Sequence, residues 1–145
     1  MVITLADGVN KYLNKEGILT AIVIERNYRS DGIEFFTESN SSQQLGYMKR
    51  SAGYEVVPHK HKKVERLVQL TQEVLFIKSG SCRLDLYDAE DHLDISIVLN
   101  AGDVVLLAEG GHGLVMLEET EIIEVKQGPF SGDMDKTRFS PADKS

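Results

Sequence analysis

The sequence predicts an all-β fold, and three observations predict it. From the middle of the chain onward apolar and polar residues alternate with period two. Short β-branched or aromatic runs recur about every ten residues between breakers, and no stretch sustains helical periodicity.

Taken in order, the runs 18–25, 33–37, 44–49 and 54–58 read as strands. They are separated by Ser30-Asp31-Gly32, by Ser39-Asn40-Ser41-Ser42 and by Ser51-Ala52-Gly53. Glu73 opens a strand through Lys78. Cys82, Leu84 and Leu86 then alternate with Arg83, Asp85 and Tyr87, and Leu93, Ile95, Ile97 and Leu99 alternate with Asp94, Ser96 and Val98. Asp88 to His92 reads as the polar hairpin loop between these two strands. Asn100-Ala101-Gly102-Asp103 reads as a tight turn before the apolar run Val104 to Leu107, and further strands are expected over 113–117 and 121–126. Helix is confined to two expected turns, over 7–13 and 64–70. About ten short strands at this spacing suit a sandwich or barrel.

A chain of 145 residues is the length of one domain. We read residues 1–145 as a single domain, with N-terminal strands in 1–43, the main β region over about 44–126 and a polar, peripheral tail over 131–145. The net charge is −7, and between Leu84 and Val125 there are eleven carboxylates and no Lys or Arg. Phosphate neutralisation needs a basic face, so nucleic acid and anionic membranes are not expected partners. Lys60, Lys62, Lys63 and Arg66 form the one basic concentration, which suits a solvated loop and also leaves room for a small anionic ligand. Cys82 is the only cysteine, which excludes an internal disulfide; together with the lack of a secretory-type start or an apolar run of spanning length, this places the expected location in the cytoplasm.

Three of the four histidines stand at informative places. His59 and His61 are two apart at the end of the expected strand from Gly53, so both rings project from one face, roughly 6.5–7 Å apart at the backbone. Glu73 shares a strand face with Leu75 and Ile77, where a carboxylate is costly unless a cation compensates it. His112 follows Gly110-Gly111 and shares a face with Leu114 and Met116.

Two segments resemble the motifs of the cupin family, over roughly residues 53–126. The first family motif, G-x5-H-x-H-x(3,4)-E-x6-G, is similar to Gly53, five residues, His59-Lys60-His61 and, further on, Glu73, six residues, Gly80. The second, G-x5-P-x-G-x2-H-x3-N, is similar to Gly102 followed by Ala108, Gly110 and His112. This chain departs from the pattern in four ways. Eleven residues separate His61 from Glu73, Ala108 stands for the proline, the glycine-to-histidine gap is one residue short, and Met116 stands for the asparagine. Glu65 keeps the family's spacing from His61 and competes with Glu73 for the carboxylate role. Glu73 is preferred because it keeps the step to Gly80.

The resemblance implies a double-stranded β-helix (jelly-roll) barrel with little helix. It also implies one divalent transition metal, Fe, Mn, Ni, Co or Zn, held by His59, His61, Glu73 and His112. Such proteins act on or bind a polar or anionic small molecule inside the barrel, as dioxygenases, as sugar isomerases or epimerases, or as non-catalytic sugar or effector binders. The sequence does not choose among these. Open sheet edges in such folds are covered by a partner or by the N-terminal segment, so a homodimer using residues before about Phe36 is expected.

Overall fold

A computed structural model describes residues 1–142. The chain forms two compact units: Met1–Tyr28 together with the chain from Thr71 onward, and Arg29–Leu70. Eleven strands are present among the described residues: β1 (Val2–Ala6), β2 (Val9–Leu13), β3 (Leu19–Ile24), β4 (Gly32–Phe35), β5 (Gly46–Lys49), β6 (Glu73–Ser79), β7 (Ser81–Tyr87), β8 (Leu93–Asn100), β9 (Val104–Leu107), β10 (Gly111–Met116) and β11 (Glu121–Lys126). All named strands pair antiparallel, and the only helical element described is a single 3₁₀ turn, Gly132–Met134.

The larger unit holds a six-stranded sheet in the order β1-β2-β3-β9-β6-β11 and a three-stranded sheet in the order β10-β7-β8. Period two explains how they meet. Cys82, Leu84, Leu86 and Leu99 from the small sheet pack in one cluster with Tyr12, Ala21, Val23, Leu75, Ile77, Val105 and Leu107 from the large one. Ile95, Ile97, Leu114 and Ile122 extend this cluster, so the unit is a sandwich of two separately hydrogen-bonded ladders.

The chain passes from one sheet to the other at Gly80, whose φ of +78° lies where only glycine is at ease. A Cβ there would fall 2.2 Å from the Glu119 carbonyl oxygen. The expected turn at residues 100–103 forms, and its Asp103 carboxylate is buried. It accepts the backbone N–H of Asn100 at 2.7 Å and of Arg26 at 2.8 Å, tying the turn to the end of β3.

The smaller unit contains the β4–β5 hairpin, with Gly32 opposite Lys49 and Phe35 opposite Gly46. Residues 50–70 of this unit carry no strand or helix.

Several sequence expectations are corrected. Residues 7–13 are a turn and strand β2, not a helical turn: Tyr12 faces the sandwich core and Val9 the opposite face, and both are buried, which imitates helical spacing. Residues 54–58 form no strand and 64–70 no helix. Pro58 has no N–H to give to a ladder, and the residues after it are strongly charged. The C-terminal segment, expected as a peripheral tail, is mostly exposed over its described residues and is tied down at two points: the ring of Phe139 meets that of Tyr87 edge-on with centroids 5.2 Å apart, and the Ala142 amide donates to the Asp91 carbonyl at 2.9 Å.

Candidate functional site

Glu73 begins β6, where it lies opposite Leu107 of β9 and Lys126 of β11, on the face shared with Leu75 and Ile77. His112 lies on β10 opposite Leu86 of β7, so it also faces the sandwich interior. Both strands present these residues at the same end of the sandwich. The ring Nε2 of His112 is 3.3 Å from Oε2 of Glu73, and their side chains are 35% and 16% exposed. The other carboxylate oxygen of Glu73 lies 3.9 Å from Nζ of Lys126.

A half-buried carboxylate facing an imidazole nitrogen is a pair of ligand types suited to first-row divalent metals. The surroundings are polar. Glu124 sits 3.4 Å from Lys126 and, with lesser help from Glu73 and Asp135, raises the pKa of that ammonium. The Thr71 hydroxyl donates to the Asp135 carboxylate, and the Gln72 backbone N–H donates to the side-chain oxygen of Gln127. These bonds join the residues before β6 to those after β11.

His59 and His61 belong to the smaller unit and are brought together there. Their rings meet edge to face with centroids 5.3 Å apart, and both residues are exposed. Nδ1 of His59 lies 2.9 Å from the Val57 carbonyl oxygen. A carbonyl can only accept, so Nδ1 carries the proton and Nε2 keeps its lone pair for a ligand role. They stand in a segment without strand or helix, not at the end of a strand as the sequence suggested. Glu65, Lys60, Lys62, Lys63 and Arg66 are exposed in the same unit.

One further cluster was missed by sequence reasoning. Asp88, Glu90 and His92, in the β7–β8 loop, place one ligand atom each within 4.8 Å of one another. The loop is shaped by Asp88, whose Oδ1 accepts the N–H of Glu90 at 2.9 Å and of His92 at 3.0 Å, while Asp91 takes a φ of +62°. Lys15 already supplies a cation, with Nζ 2.9 Å from Asp88 and 3.2 Å from Glu90. The Lys15 hydrogen bond is the main reason the Asp88 carboxyl falls to about 2. The D-x-E-x-H spacing was legible, but the position of Lys15 against it was not.

At the other end of the sandwich a cavity of about 290 Å³ is lined by Tyr12, Glu25, Arg26, Asn100 and Asp103 among others. No helix of the described residues is long and apolar enough to cross a membrane.

No protein-family model, curated protein or solved structure matches this chain.

Proposed function

We propose that this chain is a metal-binding protein of the cupin type, with Glu73 and His112 as the ligands that its larger unit supplies. The observation that carries this reading is the meeting of the Glu73 carboxylate with Nε2 of His112 at 3.3 Å at one end of an all-β sandwich. Each of the two comes from one of the two motif-like segments. In the smaller unit, His59 and His61 form a second pair of imidazoles of ligand type. The jelly-roll barrel belongs to the same proposal.

A centre with one carboxylate and otherwise neutral ligands would keep a net charge near +1 and supply a Lewis acid for a polar or anionic small molecule. Glu73 contributes the one anionic ligand. Lys126, at 3.9 Å, offsets the carboxylate's charge and adds a positive group to the same end. The core-facing Leu107, Leu86 and Leu114 beside these ligands keep water away from one side of the site. The reading spans turnover, of dioxygenase or isomerase type, and ligand binding without turnover; oxygen uptake on substrate addition separates the first of these.

Metal content of protein purified without a tag tests the proposal. One equivalent of a divalent transition metal per chain is expected, with near-complete loss in His112→Ala. Equal occupancy in wild type and this variant would overturn it.

A further inference from the structure

The last described residues do more than trail from β11. Lys126, at the end of that strand, lies opposite Glu73. The chain then meets Thr71 through Asp135, next to the start of β6. Four residues later Phe139 stands edge-on to Tyr87, and its ring also rests on Gly111. Ala142 finally bridges in parallel to His92 and donates to the Asp91 carbonyl.

These contacts fix a path. Lys126 and Thr71 belong to the six-stranded sheet side, at the end where Glu73 lies. Tyr87 and Gly111 belong to the three-stranded sheet, where Gly111 neighbours His112 and Tyr87 alternates with the inward-facing Leu86. The segment therefore leaves one sheet, crosses the end between the two, and lands on the outer face of the other. That end is the one holding Glu73 and His112.

We propose that residues 127–142 are a strap closed over the Glu73–His112 end of the sandwich, latched by Phe139 and opened to admit ligand. This inference rests on the reading of that end as the ligand end and names how access to it is controlled. The hold is light. Phe130 is 88% and Met134 93% exposed, so the crossing itself buries little, and the strap depends on its anchors.

The seat of the latch is cut to fit. A Cβ on Gly111 would lie 2.7 Å from Cζ of Phe139 and 3.3 Å from Cβ of Tyr87, so even alanine displaces the Phe139 ring. Gly111 is not in the left-handed region, so Gly111→Ala acts on the latch by crowding and not by backbone strain. Phe139→Ala removes the same contact from the other side.

The test is the rate at which diethyl pyrocarbonate modifies His112, resolved by mass spectrometry in the full chain, with His59 and His61 as internal standards. Phe139→Ala and Gly111→Ala should each raise the His112 rate about five- to tenfold, the latter corresponding to roughly 1.4 kcal/mol. The rates at His59 and His61 should stay constant. An unchanged His112 rate in Phe139→Ala overturns the strap, even if Gly111→Ala raises it, because the effect would then be local to β10. A parallel rise at all three histidines would indicate loss of fold and also counts against the latch. Stopped-flow Zn²⁺ association on the same proteins should accelerate with opening. Wild type that takes up no Zn²⁺ would refute the metal reading alone, while the His112 rate still decides the strap.

Discussion

Lys15 Nζ, 2.9 Å from Asp88, sets the clearest pH dependence at the residue scale. Asp88 falls from 3.8 to about 2 on folding, chiefly through the Lys15 hydrogen bond and then through the backbone amides of His92 and Glu90. A depressed folded pKa means that the stabilisation is complete above the unfolded value and is lost as pH falls through 3.8 toward 2. Asp88→Asn retains an acceptor for the loop amides but loses the charge. We expect it to lower Tm at neutral pH and to flatten the acid limb between those values in a Tm-against-pH series. Identical acid limbs in the two proteins would show that Lys15 contributes nothing there. Glu73→Gln acts differently, because it removes a half-buried charge that sits among His112, Lys126 and apolar neighbours. The metal-free variant should be as stable as wild type or more so in urea unfolding while binding metal more weakly; a loss above about 2 kcal/mol would instead make the carboxylate structural.

At the scale of elements, Gly80 is the position least able to change. Its φ is +78°, and an added Cβ would press on the Glu119 carbonyl and on Thr120. Gly80→Ala should cost at least about 2 kcal/mol, from left-handed strain plus displacement of the β10–β11 turn. Chemical denaturation measures this, and a change below half that would show the crossing to be compliant. The sequence marked Gly80 as part of a motif; the passage between sheets is the physical reason a glycine stands there. Strand β8 was legible because its inward residues are shielded and its outward ones exposed; β7 was legible because Arg83, Asp85 and Tyr87 on its outer face carry polar groups, although Asp85 and Tyr87 are themselves buried. β2 was not, because Val9 and Tyr12 are buried on opposite faces and their spacing of three imitates a helix. Residues 54–58 show the converse failure, since Tyr54, Val56 and Val57 look like strand residues yet form no ladder. A strand requires a partner as well as a propensity.

For the whole molecule, the core shared by the two sheets stabilises the fold independently of any ion. Leu84 is fully buried at its centre, and Leu84→Ala should cost about 2–5 kcal/mol. The metal-free His61→Ala protein, by contrast, should unfold within a degree or two of metal-free wild type. The carboxylate and imidazole of the larger unit were legible because Glu73 and His112 follow the parity of apolar strands. The neighbouring Lys126 was not, because only strand pairing between β11 and β6 brings it there. The homodimer expected from the sequence would use β1, an edge strand whose Val2, Ile3 and Leu5 are exposed. Light scattering should return twice the 16.2 kDa chain mass, and a stable monomer at micromolar concentration would count against it. Where a metal sits is decided by anomalous scattering from crystals grown with Co²⁺. One strong peak is expected, about 2.0–2.2 Å from a ring nitrogen of His112 and a carboxylate oxygen of Glu73. A peak among Asp88, Glu90 and His92 in place of Lys15, or no peak at Glu73 and His112, would contradict the proposed site.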